Sequence, residues 1–353
     1  MNLQSVLSSF IKEKRKEGKE ELIHSEEFKG TKIRIYHHSK KQTFICHGHD
    51  LDFILFIIKN LSDLNKFKEI EIVFHLDKRL IEERDEEYQS VVRMVNQDGR
   101  SGYINKYDIR EGKYRIHINE DYLLLYSSQK KDTTKEIREF MYYELKRILE
   151  HEIVHLWHFR VNHVEEIMEK NAHKLSNAIY KIKNQKLRSW KKIRIFLLEL
   201  IQLIVYEGAA KYSEMFKKGV PLNEKSAKAV YKNSENLAKK LQNNFNEVYK
   251  PLIEGKNLIG AEIYWLKEDS KDIPYDLGMH IYHYILTFTD YTFEELCELK
   301  YNKLIKLYEK TCDDQNIKPL VSLNSKKGVF DFSKNVQKLH EIRRNKNKLK
   351  KAS

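Results

Sequence analysis

Apolar residues recur at four-residue steps at Met141, Leu145, Leu149, Ile153 and Trp157, which puts them on one face of a long helix. Thr133-Thr134-Lys135-Glu136 just ahead of the run reads as a capping box, so the helix is expected to start there. Upstream the period changes to two. Thr31–Tyr36 and Gln42–Cys46 alternate and predict a hairpin, and Glu69–His75 and Tyr114–Glu120 read as further strands, with Gly99 and Gly102 in a loop between them. The apolar run Leu51–Leu61 predicts a helix capped by Asp50 or Asp52. Residues 1–30 predict a charged amphipathic helix and a linker ending at Gly30.

Downstream of the long helix the pattern stays helical to about residue 250, resumes over Tyr275–Leu286, and restarts at a second capping box, Thr292-Phe293-Glu294-Glu295. Lys334–Ser353 is rich in Lys and Arg and reads as a frayed basic tail. The fold class is therefore α+β and predominantly helical, with a small N-terminal mixed sheet. The expected organisation is an N-terminal helix and linker (1–30), a main domain (31–290) with a sheet-containing part (31–132) and a helical part (133–290), and a C-terminal helix with the basic tail (291–353).

Composition sharpens this picture. Of 353 residues, 41% are hydrophobic and only 12 are Gly and 4 Pro, which favours a folded, helix-rich chain over a disordered one. A formal charge of +13 admits a nucleic-acid partner, with Lys181–Arg194 and Lys334–Lys351 as the basic stretches. Lys is spread along the whole chain, however, so that partner is not favoured. Cys46, Cys297 and Cys312 have no close ligand spacing, and an odd count argues against a disulfide framework, so a reducing cytoplasm is the expected location. The amino terminus has no secretory-signal pattern. The most apolar windows, Leu51–Leu61 and Ile195–Tyr206, fall well short of the roughly 20 residues that span a bilayer, so no membrane span is expected.

The chemistry concentrates in His151-Glu152-Ile153-Val154-His155. The histidines are one helical turn apart, so their imidazoles project side by side and can take two corners of a metal tetrahedron. Glu152 points elsewhere on the same turn, where a carboxylate can take a proton from a metal-activated water and later deliver one to a leaving amine. Two protein ligands do not suffice for a catalytic zinc. Glu207 is the candidate third: it follows Ile195–Tyr206, a run apolar nearly all round, where a carboxylate is costly unless paired or metal-bound. The next residues, Gly208-Ala209-Ala210, allow close helix approach, and a Gly inside a helix costs about 1 kcal/mol relative to Ala, which asks for a packing reason.

HEIVH followed by Glu-Gly-Ala-Ala resembles the gluzincin metallopeptidases, with the minigluzincin and peptidase MA-like families closest in style. The resemblance spans roughly residues 110 to 290 and implies a zincin-like catalytic domain holding one Zn2+ per chain. His151, His155 and Glu207 would be its ligands, Glu152 the general base, and a peptide or protein the substrate. It also implies that the strand Tyr114–Glu120 is an edge that takes up substrate backbone. Tyr275, in the Tyr-x-x-Gly of a following helix, would donate to the oxyanion, with His280 and His283 as alternatives. The long stretch between His155 and Glu207 suggests an inserted helical hairpin around Val164–Lys192. The metzincin pattern fails, since it needs Gly and His where His158 and Val161 stand.

His158 and Asn162 continue the metal-facing stripe, although a merely polar role is favoured for both. Glu199 and Glu214 flank Glu207 and could orient a ligand histidine, or could be ordinary surface carboxylates. Besides a zinc metallopeptidase, the sequence admits a nucleic-acid-associated protein with a zincin scaffold and a latent, inactive gluzincin. Oligomeric state is not legible in the sequence.

Overall fold

The structure is a computed structural model that describes residues 21–37, 48–61, 64–75, 102–104, 108–109, 111–119, 123, 134–162, 185–216, 222–253 and 273–334. Calls made on residues 1–20, on Gln42–Cys46, on Thr133, on the stretch from Val164 to residue 184 and on the tail beyond Lys334 lie outside it. Among the described residues, no helix is long and apolar enough to cross a membrane. The chain divides into two compact units, Met1–Trp157 and His158–Ser353.

The first unit is built on a five-stranded mixed sheet of β1 (Glu21–Phe28), β2 (Thr31–His37), β3 (Glu69–His75), β4 (Gly102–Tyr103) and β5 (Arg115–Asn119), in the order β1-β2-β3-β5-β4. The β2–β3 and β3–β5 pairs are parallel, and both flanking pairs are antiparallel. Helix α1 (Gly48–Lys59) connects β2 to β3, and α2 (Thr134–Asn162) follows the sheet. Alternation sorts the strands into two faces. Ile33, Ile35, Ile70, Ile72, Phe74, Ile116 and Ile118 are buried on one, and the core also takes in Ile54, Ile57 and Ile58 of α1 and Met141, Leu145, Ile148, Leu149 and Ile153 of α2.

Three expectations are corrected here. Residues 21–28 form a strand, not part of a charged helix and linker. Lys29 and Gly30 both have positive φ, which makes the two-residue type I′ connection whose twist matches paired strands, so the hairpin partner of β2 is β1. Among the described residues β2 is paired with β1 on one side and with β3 on the other, so both its edges are occupied. Finally, Asp50 and Asp52 lie inside α1, which begins at Gly48, and therefore do not precede it as caps.

The opposite sheet face carries charge. Glu71 is buried, accepts from Arg115 Nε at 2.6 Å and Tyr36 OH at 3.1 Å, and meets Arg34 Nη1 at 3.3 Å, while Arg34 also reaches Glu69 at 2.6 Å. His117 Nε2 lies 2.7 Å from Asp108 Oδ2. Burial by itself would raise the Asp108 carboxyl, but the hydrogen bond and charge of His117, with Arg115 and Lys113 nearby, hold it below the usual carboxylate range. Each buried charge is thus met by an opposite one, the condition for tolerating charge in a sheet interior.

The second unit is helical: α3 (Gln185–Phe216), α4 (Glu224–Ile253), α5 (Ile273–Phe288), α6 (Phe293–Glu298) and α7 (Tyr301–Asp314), closed by the parallel pair β6 (Val321–Ser322) and β7 (Phe330–Asp331). The capping box expected at Thr292 is present, with Glu295 N donating to Thr292 Oγ1 at 3.2 Å and Thr292 N to Glu295 Oε2 at 2.8 Å. Helix α7 ends in a Schellman motif with Asn316 in the left-handed region, its N–H on Asp313 O and that of Ile317 on Cys312 O. Helix α5 packs against α3, α4 and α7 and is buried nearly all round, as its continuous apolar and aromatic sequence requires. Cys297 and Cys312 are both buried.

The sheet's ion cluster gives a direct test. Glu71→Ala removes the carboxylate shared by Arg115, Arg34 and Tyr36 and is expected to cost about 3 kcal/mol in urea unfolding. A midpoint within experimental scatter of wild type would show that the cluster carries no stability.

Candidate metal centre

Helix α2 carries the motif in the expected setting. His151 and His155 are half-buried, Glu152 between them is buried, and the flanking Leu149, Ile153, Val154 and Leu156 face the core. The one-turn spacing brings the two imidazole Nε2 atoms to 3.0 Å, with the rings edge to face. Two nitrogens on one tetrahedral ion at ordinary zinc–nitrogen bond lengths stand about 3.3 Å apart, so the pair is already close to ligand geometry. Glu207 of α3 is half-buried. One ligand atom each from His151, His155 and Glu207 lies within 4.8 Å of the others.

Two nitrogens and one carboxylate oxygen suit zinc and other divalent transition ions. Three ligands leave one position for water or substrate, and partial exposure of all three keeps it reachable. A closed structural site would have four ligands and deeper burial.

The glycine that follows Glu207 has a more specific role than helix approach in general. An ideal Cβ on Gly208 would fall 2.3 Å from Gly278 Cα, and one on Gly278 would fall 1.9 Å from the carbonyl oxygen of Ile204. The backbone that Gly208 admits is therefore that of α5. Gly278 closes the Tyr-x-x-Gly run, so that motif is read here as a crossing between α3 and α5. Ala209 and Ala210 are fully buried beside it.

The remaining candidates separate by burial and partner. His280 and His283 are not positioned as oxyanion donors: both are fully buried, His280 Nε2 is 2.9 Å from Tyr308 OH, and His283 Nε2 is 2.9 Å from Ser226 Oγ. Tyr231 and Tyr284 pack around His280, and Phe216 stacks on His283. Both are core residues tying α5 to α7 and α4. Tyr275 lies half-buried in the first turn of α5. His158 is buried with its ring edge-on to Tyr206, which agrees with a packing role. Glu214 is buried and paired with Lys211 at 3.4 Å. Asn162 and Glu199 lie on α2 and α3, and their side chains are outside the described residues.

The strand Tyr114–Glu120 is not the edge that the resemblance implies. As β5 it lies between β3 and β4 with all five residues buried, and the outer position on that side, among the described residues, belongs to β4. Gly102 of β4 abuts α2: an ideal Cβ there would fall 2.3 Å from Ile148 Cγ2 and 3.4 Å from Glu152 Cγ. Sequence reasoning passed over this residue as loop, because a two-residue strand has no periodicity to detect.

A scan against protein-family models and searches of the curated proteins and of the solved structures each find no match to this chain.

Two outcomes follow for the second unit. Gly278→Ala should lose about 3 kcal/mol in urea unfolding, since the added methyl meets backbone, which cannot rotate away. An unchanged midpoint would count against so tight a crossing. The second concerns pH. Burial, with the neighbouring His283 charge, pushes His280 down to about 3, and burial pushes His283 down to about 4. In the unfolded chain both titrate near their ordinary value of about 6.5, so below that pH the unfolded state takes up protons that the folded state refuses. Their stabilising contribution is complete above pH about 6.5 and is lost progressively toward pH 3 to 4. The urea midpoint should therefore fall from pH 7.5 to 5, and His280→Gln/His283→Gln should flatten that slope by close to two protons; equal slopes would refute the assignment.

Proposed function

We propose that this chain is a zinc-dependent metallopeptidase of the gluzincin type, holding one Zn2+ through His151, His155 and Glu207 and hydrolysing peptide bonds with Glu152 as general base. The observation that carries the reading is the convergence of those three ligand atoms within 4.8 Å, two from one helical turn and one from a residue far along the chain. It is supported by the 3.0 Å approach of the imidazole nitrogens and by the position of Glu152 between them in sequence.

A divalent ion held there supplies Lewis acidity toward the scissile carbonyl and lowers the pKa of the attacking water. The chain's own residues do the rest. Glu152 takes a proton from that water as the carbon–oxygen bond forms, and delivers it to the departing nitrogen as the carbon–nitrogen bond breaks. No covalent enzyme intermediate is involved. Tyr275 is assigned the hydrogen bond to the developing oxyanion. The substrate is a peptide or protein, and the compartment is the cytoplasm, a reading supported by an odd count of three cysteines without close ligand spacing.

The test pairs metal analysis with cleavage of fluorescein-labelled casein. Wild type dialysed against trace zinc should retain one ion per chain and cleave. His151→Ala and Glu207→Ala should lose the ion, and Glu152→Gln should keep it while losing about a hundredfold or more in rate. Purified protein without stoichiometric metal, or a Glu152→Gln variant as fast as wild type, would overturn the proposal.

A further inference from the structure

We infer that Gly102 is a positioning residue for Glu152: the bare backbone of β4 is the surface against which the general base is set. This rests on the metallopeptidase reading and adds a residue that the HExxH and Glu-Gly-Ala-Ala motifs do not include.

Gly102 is buried, and it is fixed in register by antiparallel pairing, Gly102 with Ile118 and Tyr103 with His117. It also sits directly over one face of α2. The three atoms nearest an ideal Cβ at this position are Ile148 Cγ2 at 2.3 Å, Glu152 Cγ at 3.4 Å and Glu152 Oε1 at 3.6 Å. Residues 148 and 152 are one turn apart, so a single glycine meets both. A Cβ at position 102 would thus stand within van der Waals distance of the Glu152 carboxylate.

The nearest obstruction is a β-branch methyl. Ile in a helix has one strongly preferred χ1 rotamer, so Ile148 cannot swing Cγ2 aside as the tip of a flexible chain could. A methyl group at position 102 must therefore lift β4 or shift the turn of α2 carrying Glu152. Either motion changes the packing around the Glu152 side chain, which lies one turn from Ile148 on the same helix face. The φ of Gly102 is not in the left-handed region, so space and not backbone conformation is what demands glycine here.

The anchoring of β4 explains why the strand would not simply float away. Beyond it, Asp108 hydrogen-bonds His117 on β5, and the backbone N–H of Lys113 and Glu111 donate to Asp108 O at 2.8 and 3.1 Å. Asp108 is thereby tied to the sheet interior.

The experiment uses the full-length, zinc-loaded protein with three variants: Gly102→Ala, Ile148→Ala, and the two combined. Metal content, and kcat and KM on fluorescein-labelled casein over pH 5 to 9, are measured for each. Gly102→Ala should keep one ion per chain and nearly unchanged KM while kcat falls about ten- to a hundredfold, the range expected when a catalytic group is misplaced by an ångström or less. The acid limb of its pH profile, which reports the base, should move as well. Removing the obstructing methyl in Gly102→Ala/Ile148→Ala should restore most of kcat, a rescue that general destabilisation would not produce. A Gly102→Ala variant with wild-type kcat, or a folded double variant no faster than Gly102→Ala, overturns the inference. If Gly102→Ala does not fold, the double variant decides by comparison with Ile148→Ala alone: equal kcat supports the inference, and a much lower kcat overturns it. Wild type that binds no zinc or leaves casein intact would instead overturn the metallopeptidase reading itself.

Discussion

Where α3 crosses α5, two backbones lie so close that neither Gly208 nor Gly278 admits a methyl group. Much of the second unit follows from that contact. It fixes the height of α3 at the residue adjoining Glu207, and it forces α5 into the middle of the unit, with helices on several sides and scarcely any solvent face. A helix so enclosed must satisfy its polar side chains internally. His280 and His283 do so at Nε2 alone, through Tyr308 and Ser226, and burial keeps both imidazoles neutral far into the acid range. A pair of histidines that read as catalytic alternatives in the sequence turns out to be the polar content of a packed core.

Glycine does comparable work in the first unit for a different reason. At Gly102 the missing side chain makes room for a neighbouring helix's side chains, Ile148 and Glu152, and not for another backbone. The sheet on that side is held by charge as well as by apolar packing. Its isoleucine-rich face is buried by the hydrophobic effect, while the reverse face buries Glu71, Arg115, His117 and Asp108 as matched partners. Such pairs tolerate little displacement, since separating buried opposite charges costs more than separating exposed ones. The arrangement suits a sheet that has to present one short strand at a constant height against a helix.

The legible parts of the sequence were those governed by short-range geometry. The 3.6-residue period of Met141 to Trp157 located α2, the His-x-x-x-His spacing located two imidazole nitrogens that stand 3.0 Å apart, and Thr292 to Glu295 located a cap that forms as expected. Strands β2, β3 and β5 were each visible from alternation. Their order was not, and neither was the reassignment of residues 21–28 from helix to strand, because the irregular alternation of a bulged, half-exposed strand looks much like a charged amphipathic segment. The two-residue β4 left no periodic trace at all.

Glu207 shows the boundary between the two kinds of information. A carboxylate after a continuously apolar run, followed by Gly-Ala-Ala, was conspicuous in the sequence because buried charge and helical glycine each carry a cost that asks for a reason. The sequence by itself thus determined the helical, mixed-sheet class, the histidine pair and the identity of the third candidate ligand. Only the tertiary structure decided that ligand atoms of His151, His155 and Glu207 lie within 4.8 Å of one another, that Gly208 meets Gly278, and that β4 lies against Ile148 and Glu152. Helix and strand periods are set within a few residues by backbone geometry, whereas strand order and helix crossing depend on which distant surfaces bury each other, and no local pattern encodes that choice.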